Sequence, residues 1–537
     1  MTSATTTHAT NGLDALRFDN AFVRELPGDV EAGSRRRQVA RVLHSPVEPT
    51  PTAAPRLVAF APEVLELLGL DAATSQDERF ERVFSGNALL AGMQPFATCY
   101  GGHQFGNWAG QLGDGRAINL GEVVNGDRRY TLQLKGAGPT PYSRTADGLA
   151  VLRSSVREFL CSEAMHHLGV PTTRALSLCL TGDEVVRDML YDGHPAAEPG
   201  AVVCRVSPSF LRFGHFQMLA ARDETDLLAQ LLDFDLRHNF AALGAVGDRA
   251  ERALTWFAEV CDRTRRLMVH WMRVGFVHGV MNTDNLSILG ETIDYGPYGW
   301  LEDYDPDWTP NTTDAGQKRY RYGYQPAIAQ WNLLQLANAI YPLVGEAEPL
   351  ESQLKAFETE YASAAREMWS AKLGLTTPMA SEHAARDSLI EAMDAALRST
   401  EIDMPIFFRA LADVDARAHD DPFAALEASA YGQVPAAARA ALNAFLNDLF
   451  ALVRQDNQPV AERRQRMNAV NPKYVLRNYM AQLAIDAAEG GDFSRINELL
   501  DVLRTPYAEQ PGREEHAARR PEWARTRVGC SMLSCSS

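Results

Sequence analysis

The residues best suited to chemistry are a small set of oxygen ligands and cations that follow one another along the chain. Asn285 and Asp294 both lie in the stretch HGVMNTDNLSILGETIDYG. An Asn carbonyl and an Asp carboxylate are hard oxygen ligands of the kind that Mg²⁺ or Mn²⁺ prefers. Lys135, Arg205 and Arg212 lie upstream and carry positive charge. Together these residues predict a divalent cation held over the phosphates of a nucleotide.

The order of these residues follows the template of a protein kinase, with one departure. In that template an Asp five residues before the metal-binding Asn accepts the substrate's proton, and an Asp-Phe-Gly motif supplies a second ligand. Here Asp-Tyr-Gly stands at 294–296, but the residue five before Asn285 is Val280. Each motif alone carries little weight, whereas their joint order predicts nucleotide and metal chemistry. The apolar residue at 280 leaves the usual position of the base without one.

A glycine loop and two strands are predicted to form the phosphate-binding wall. In QLGDGRAINLGEVVNGDRRYTLQLK, a Gly-Asp-Gly-Arg turn precedes a strand, an Asn-Gly hairpin turn follows at 125–126, and a second strand ends at Lys135. Gly113 and Gly115 would let backbone N–H groups approach phosphate oxygens, and Arg116 would add positive charge. A plain tight turn is the alternative interpretation of the glycines taken alone.

Residues 147–168 are predicted to form a helix that carries a partner for Lys135. Asp147 suits the N-cap, an apolar stripe follows, and Gly169 ends the helix. Glu158 lies on this helix. In a kinase-like pocket it would hold Lys135 toward the phosphates, and otherwise it is a solvated surface residue.

The following segments are predicted to extend the sheet and to return the chain to the metal ligands. RALSLCLTGDEVVRD is expected to form a hairpin and AVVCRVS a further strand. Arg205 and Arg212 would share a face if their segment is helical, where they would clamp phosphates or form surface salt bridges. LSIL and TIDYG are predicted to pair around a type II′ turn at 290–291, which would fold Asp294 back toward Asn285.

Length and composition bound the fold and its partners. A chain of 537 residues needs at least two cores or one large bilobal unit. The net charge of −17 disfavours binding to nucleic acid or acidic lipid. No apolar run approaches the roughly 18 residues of a membrane span, and the N-terminus lacks a signal-peptide core. Seven scattered Cys suit a reducing compartment. We therefore expect a cytoplasmic protein without nucleic-acid or membrane partners, and a monomer.

Nearly the whole chain resembles the SelO (YdiU) family of kinase-fold pseudokinases. The resemblance rests on long motifs, among them FDNAFVRELPGD, QPFATCYGGHQFGNWAGQLGDGRAINLGE, LKGAGPTPYSRTADG and HGVMNTDNLSILGETIDYGPYGWLEDYDP. It implies an α+β, bilobal protein-kinase-like fold with a β-rich N-lobe and a larger helical C-lobe. We expect a disordered tail over 1–20, the N-lobe over 21–220, the C-lobe over 221–430, and a C-terminal helical extension with a Cys-containing tail over 431–537.

The same resemblance implies protein adenylylation, in which AMP passes from ATP to a Ser, Thr or Tyr hydroxyl of a protein. The nucleotide would bind in the reverse of the kinase orientation and present its α-phosphorus at the cation, so that no base is needed at Val280. Some members are reported to use UTP with Mn²⁺, which leaves both the nucleotide and the choice of Mg²⁺ or Mn²⁺ open.

The resemblance also assigns roles to individual residues. Asn285 and Asp294 are implied as metal ligands. Asp284 is implied as the base that takes the hydroxyl proton, although it would equally suit a residue that orients the metal site. The implied nucleotide contacts are Gly113, Gly115, Arg116, Lys135, Asp147, Gly148, Arg205, Arg212 and Asp294.

Two other functions and one redox question remain open at this stage. Ordinary phosphotransfer fits the kinase-like order but not Val280, and a non-catalytic nucleotide-binding pseudokinase would have no need of two metal ligands. Cys535 stands where many eukaryotic members carry selenocysteine, and a disulfide to the activation segment is associated with the family. That segment, 295–323, contains no Cys. A Cys530–Cys535 disulfide and the absence of any redox role are both open.

Overall fold

An antiparallel sheet occupies much of the first half of the chain. The computed structural model describes residues 12–244, 247–376, 378–417, 420–456 and 458–534. Within these residues seven strands pair in the order β1-β3-β6-β7-β9-β8-β2, and two small two-stranded sheets join β4 to β5 and β10 to β11. The strands are β1 (His44–Pro46), β2 (Arg56–Phe60), β3 (Phe96–Thr98), β4 (Gly101–Gln104), β5 (Asn107–Gln111), β6 (Ala117–Asn125), β7 (Arg128–Lys135), β8 (Arg174–Arg187), β9 (Ala196–Ser207), β10 (Phe276–Val277) and β11 (Gly299–Trp300).

Helices dominate the rest of the described residues. The predicted mixture of sheet and helix is confirmed. The helices are α1 (Ala21–Glu25), α2 (Pro62–Leu67), α3 (Glu78–Phe84), α4 (Leu152–His167), α5 (Phe213–Ala221), α6 (Thr225–His238), α7 (Arg249–Val274), α8 (Gln325–Val344), α9 (Glu348–Lys372), α10 (His383–Leu397), α11 (Met404–Leu411), α12 (Ala436–Gln455), α13 (Val460–Val470), α14 (Asn478–Glu489) and α15 (Ser494–Leu503).

The β6–β7 hairpin confirms the prediction made from its alternating sequence. Asn125 pairs with Arg128 at the tip, and Ala117 pairs with Lys135 at the base. The two-residue loop is 126–127, one residue later than predicted. Gly126 adopts a φ of +63°, which glycine reaches at little cost. The hairpin places Lys135 at the end of a central strand, next to the glycine loop.

The largest hydrophobic core contains helix α4 together with residues of α5 to α8, α14 and α15. Almost every side chain of α4 from Leu152 to Met165 is buried. A second core lies among α10, α11 and α12, and a third lies between the sheet and helices α2 and α3. Because α4 is packed on all sides, any charged residue on it requires a partner inside the protein.

Three predictions of local structure are wrong in their details. Helix α4 begins at Leu152, with Val151 as its N-cap, rather than at Asp147. The segment 174–188 forms no hairpin, because β8 continues through an irregularity near Gly182 and pairs with β9 along most of its length. The condition under which Arg205 and Arg212 would share a helical face is not met, since Arg205 lies in β9 and Arg212 precedes α5.

The predicted hairpin around 290–291 is also absent, because both of its arms pair elsewhere. Ser287 bridges Arg212, and Thr292 bridges Thr172. The turn itself remains, with a hydrogen bond of 3.1 Å from Gly290 N to Ser287 O. These pairings tie the segment that carries Asp294 to the sheet side of the molecule.

The predicted N-terminal tail, 1–20, is too long. Residues 1–11 lie outside those described, but residues 12–20 include a 3₁₀ turn whose Leu13 is buried.

Among the described residues one helix, α12, has the length and apolar composition of a membrane span. Its Leu442, Phe445 and Leu446 lie in the second core.

Candidate active site

All the residues that were predicted to bind the nucleotide or the metal line one cleft. Its volume is about 690 Å³, and its walls come from the glycine loop, the ends of β7 and β9, the 143–149 loop and the 280–297 segment. The predicted residues that line it are Gly113, Gly115, Arg116, Lys135, Asp147, Gly148, Arg205, Arg212, Asp284, Asn285 and Asp294.

A chain of ion pairs crosses the floor of the cleft. One oxygen of the Glu158 carboxylate pairs with the Lys135 ammonium and the other with the Arg205 guanidinium. Arg205 Nη2 lies 2.8 Å from Asp294 Oδ1, and Arg212 pairs with Asp294 Oδ2. Three cations thus face two carboxylates, which leaves a net positive charge at the floor. Glu158 is 1% exposed, so the interpretation of this residue as a solvated surface side chain is wrong.

Burial and these charges set the protonation states. Burial lowers the pKa of Lys135 to about 8, although the Glu158 carboxylate opposes the shift. Burial alone would raise the pKa of Asp294, but the charges of Arg212 and Arg205 outweigh it and hold that pKa well below its usual range. The pKa of Glu158 is likewise lowered, because Arg205 and Lys135 outweigh burial. Both carboxylates are therefore ionised at neutral pH.

The glycine loop is held against its neighbours by close packing and by a buried carboxylate. Gly113 has a φ of +98°, and a Cβ there would lie 2.6 Å from Tyr142 Cγ. A Cβ on Gly115 would lie 3.0 Å from Tyr142 O. The Asp114 carboxylate accepts hydrogen bonds from the Thr98 backbone N–H at 2.9 Å and from its hydroxyl at 2.6 Å. Asp114, which the sequence analysis passed over, therefore fixes the shape of this loop.

The loop before α4 packs against the glycine loop and also lines the cleft. Asp147, the predicted N-cap, instead accepts two hydrogen bonds from the Arg187 guanidinium, at 2.8 and 2.7 Å. Gly148 has a φ of +76°, and a Cβ there would meet Gly138 O at 2.2 Å. Only glycine permits this close crossing of two backbones. Arg187 also lines the cleft, although sequence reasoning did not identify it.

The two predicted metal ligands lie in the same cleft and offer suitable atoms. Asn285 Nδ2 donates to Val280 O at 3.0 Å, which leaves the carbonyl oxygen of the amide for a cation. Asp294 has a φ of +59°, an uncommon conformation that Asp adopts more readily than most residues. A carboxylate offers about four lone-pair sites, so the contacts of Asp294 with two Arg still leave room for a metal. The donor set of hard oxygens fits Mg²⁺ or Mn²⁺.

Asp284 lies beside Asn285 in a short 3₁₀ turn at Thr283–Asn285. Burial raises the pKa of its carboxyl to about 6. Its Oδ2 accepts a hydrogen bond of 3.2 Å from Gln104 Nε2, whereas Oδ1 is buried without a hydrogen-bond partner among the described residues. An acceptor left free in this way is suited to a proton or a cation from a ligand.

The β4–β5 hairpin supports this turn and was missed by sequence reasoning. A Cβ on Gly102 would lie 2.6 Å from Asp284 Oδ1. His103 N donates to Thr283 Oγ1 at 2.7 Å, and Phe105 N donates to Asn282 Oδ1 at 3.1 Å. The only signal in the sequence was the glycine-rich run YGGHQFGNWAGQ, because these contacts are made by backbone atoms and by the absence of a side chain.

Among the described residues, Cys530 and a second group of possible metal ligands do not line the cleft. Cys530 is a buried free thiol whose pKa burial raises to about 11, and Cys535 lies outside the described residues. The group Glu498, Glu515 and His516 has ligand atoms close enough to hold a metal, but its carboxylates are exposed and it does not line the cleft.

A glycine loop, a floor of buried cations and two oxygen ligands beside a free carboxylate define a site for the phosphates of a nucleotide. Comparison with known proteins narrows this class. The family model "Protein adenylyltransferase SelO" matches residues 34–504. The chain belongs to the SelO family, and with it to the nucleotidyltransferases.

Curated relatives extend the match over nearly the full chain. The "Protein nucleotidyltransferase YdiU" of Aromatoleum aromaticum is 59% identical over 528 residues, which cover 97% of this chain and 99% of the relative. Proteins of the same name from Azoarcus sp. (strain BH72) and Rhodopirellula baltica are 58% and 57% identical, over 523 and 540 residues, with the same coverage.

Proposed function

We propose that this chain is a metal-dependent protein adenylyltransferase, which transfers AMP from ATP to Ser, Thr or Tyr hydroxyls of proteins and releases pyrophosphate. The observation that carries the proposal is the meeting of Lys135, Arg205, Arg212 and Asp294 with Asp284 in a single cleft. Val280 lines the same cleft where a kinase would place its base.

The triphosphate would lie between the glycine loop and the floor of ion pairs. Gly113 and Gly115 allow the backbone to approach phosphate oxygens, and Arg116 adds positive charge beside them. Lys135, Arg205 and Arg212 add positive charge from the floor. Asp147 and Gly148 stand at the rim, where they would contact the end of the nucleotide that lies farther from Asp294.

The apolar side chain of Val280 and the position of Asp284 support a reversed orientation of the nucleotide. A kinase presents the γ-phosphorus to a hydroxyl activated at the position that Val280 fills here, and Val280 cannot accept a proton. Asp284 lies next to the predicted metal ligand Asn285, so the phosphorus that reacts there is the one nearest the cation. In a reversed triphosphate this is the α-phosphorus.

The chain's own residues supply the remaining chemistry. Asn285 and Asp294 would hold Mg²⁺ or Mn²⁺, which when bound would withdraw charge from the phosphate oxygens. Asp284 takes the proton of the hydroxyl as its oxygen bonds to the α-phosphorus. The bond from the α-phosphorus to the bridging oxygen breaks, and its electron pair leaves with pyrophosphate, whose charge Lys135, Arg205 and Arg212 stabilise.

We also infer the bilobal kinase-like arrangement, with the N-lobe over 21–220, the C-lobe over 221–430 and a helical extension after it. The sheet and the helical second half each contribute a wall of the cleft, as two lobes would. A cytoplasmic location is part of the same proposal, because the six described Cys are all buried free thiols.

A labelling experiment tests the proposal. The protein is incubated with a bacterial lysate, Mg²⁺ or Mn²⁺, and ATP labelled at either the α or the γ position. Label transferred to protein only from the α position is expected. Transfer only from the γ position would make the chain a kinase, and no transfer from either would leave a nucleotide-binding pseudokinase. A parallel reaction with α-labelled UTP tests UMP transfer.

Asp284→Asn tests the role of Asp284 as the base, since the substitution keeps the shape of the side chain but removes the group that takes the proton. This variant should bind ATP with unchanged affinity and lose transfer by about a hundredfold or more. Wild-type transfer by this variant would remove Asp284 from the role of base.

A further inference from the structure

Helix α8 and its N-cap residue Tyr324 carry an exposed stripe of mainly apolar residues, and the role inferred for it rests on the proposed function. Tyr324, Leu334 and Tyr341 are 40%, 40% and 46% exposed. Trp331 is partly exposed between them. At about 100° per residue these four positions fall within an arc of about 100° on one side of the helix, together with the exposed polar residue Asn338. An exposed and mainly apolar strip of this kind is typical of a surface that binds another protein.

The β4–β5 hairpin joins this stripe to the candidate active site. The His103 ring lies edge-on to the Trp331 ring with centroids 5.6 Å apart, and it also contacts Trp108, which is 41% exposed. The next residue, Gln104, donates to the Asp284 carboxylate. Successive side chains of a strand point to opposite faces. One thin hairpin therefore separates the stripe from the residue proposed to activate the acceptor hydroxyl.

Charge beside Trp331 and beyond Tyr341 gives the stripe a direction. Arg319 lies over the Trp331 ring at 4.7 Å, and among the described residues no carboxylate forms an ion pair with its guanidinium. Lys318 beside it is exposed. Beyond Tyr341, Glu346 and Glu348 are exposed. The surface is thus basic beside Trp331, where the β4–β5 hairpin contacts it, and acidic beyond Tyr341.

We propose that this surface, made of Trp108, Arg319, Tyr324, Trp331, Leu334 and Tyr341, docks the target polypeptide. The occupant is an amphipathic helix of the target that lays an apolar face along α8 and places an acidic residue against Arg319. The helical period of the stripe fits a helical partner, and the unpaired guanidinium fits an acid. Docking there raises the concentration of the acceptor hydroxyl beside Asp284 without contact to the reacting atoms.

The test uses a synthetic amphipathic helix of about 18 residues, five turns, with Leu along one face, two Glu at one end and a Ser beyond them. Binding of the fluorescein-labelled peptide is measured by anisotropy, so the result does not depend on AMP transfer. Leu334→Asp should weaken binding by about tenfold or more, since it places a charge in the middle of the apolar contact. Leu89→Asp is the matched control, because Leu89 is 39% exposed but lies outside this surface.

A charge reversal tests the direction of docking. Arg319→Glu should weaken binding of the Glu peptide by about tenfold, and a peptide with Lys in place of both Glu should recover most of that loss. In the transfer assay Leu334→Asp should raise the KM for the peptide and leave kcat and the KM for ATP unchanged.

Failure of docking and failure of the proposed function are distinguishable. If the wild-type protein binds the peptide but transfers no α-label, the proposed function is wrong and the docking surface is supported. Docking is overturned if the wild-type protein does not bind the peptide, or if Leu334→Asp and Arg319→Glu bind it as the wild type does. It is also overturned if Leu334→Asp converts a wild-type dimer to a monomer in light scattering, because the occupant would then be a second copy of the chain.

Discussion

Glu158→Gln tests the ion-pair floor of the cleft most directly. The substitution keeps the shape of a side chain that is 1% exposed, and it removes the negative charge shared by Lys135 and Arg205. The two cations respond differently. Lys135 can lose its proton, because burial has already lowered its pKa to about 8, whereas Arg205 stays charged. Removing one partner of a buried ion pair is costly because it leaves the other charge uncompensated.

The expected loss of stability is the sum of the costs at Lys135 and Arg205. Deprotonating Lys135 at pH 7, about one unit below its folded pKa, costs about 1.4 kcal/mol. The lost charged hydrogen bond of Arg205 costs about 1.5–3 kcal/mol. The free energy of unfolding should therefore fall by about 3–4 kcal/mol, near the lower end of the range for broken buried pairs. For a cooperative unit of about 150–250 residues this corresponds to a fall in Tm of about 6–16 °C.

The pH dependence has a definite sign. The folded pKa of Lys135 lies below its unfolded value of about 10.4, so protonated Lys135 opposes folding below pH 8, and the effect fades as the pH rises. Without Glu158 the pKa of Lys135 in the folded protein falls further, and this lowers the free energy of unfolding only below pH 8. At pH 9 Lys135 is neutral in both folded proteins. The stability gap between variant and wild type should therefore narrow by about 1.4 kcal/mol from pH 7 to pH 9.

The assay is thermal unfolding followed by tryptophan fluorescence at pH 7 and pH 9. Glu163→Gln is the matched control, since Glu163 is a fully buried residue of the same helix that pairs with Arg174 and with no Lys. Its stability gap should be the same at both pH values. An equal gap for Glu158→Gln at both pH values, or a variant as stable as the wild type, would refute the reasoning about Lys135.

Three further outcomes follow from the same geometry. Asp294→Asn should reduce AMP transfer by about a thousandfold and also lower Tm, because Arg205 and Arg212 lose their shared carboxylate; unchanged transfer in the labelling assay would contradict the metal assignment. Gly113→Ala should weaken ATP binding in titration calorimetry, since its Cβ would lie 2.6 Å from Tyr142 Cγ at a φ of +98°; wild-type affinity would show that the loop moves freely. Cys530 should resist alkylation by iodoacetamide at pH 8 in the folded protein, because burial raises its pKa to about 11, and rapid labelling seen by mass spectrometry would contradict this.

The sequence was sufficient where a local pattern determines the structure. The β6–β7 hairpin follows from alternation around a two-residue turn. The residues around the cleft could be named because their order along the chain is specific, even though each motif alone is weak.

Prediction failed where a segment had a better partner far away in sequence. A two-residue turn at 290–291 reads as a hairpin, but Thr292 pairs with Thr172 and Ser287 with Arg212. Those partners lie more than 70 residues away, and no local pattern identifies them. The same limit applies to β4, where Gly102 supports Asp284 by having no side chain.

The Asp294 carboxylate has two roles in this cleft, one in the stability of the fold and one in the proposed chemistry. In the described structure it is the shared counter-ion of Arg205 and Arg212, yet the proposed function gives it to a cation. An arriving triphosphate brings its own negative charge to both Arg, which weakens their hold on Asp294 and frees carboxylate lone pairs for the metal. A metal held there would in turn neutralise phosphate charge. Each ligand would therefore remove the cost that the other meets, and we expect the affinities of nucleotide and cation to rise together, since such coupling is reciprocal.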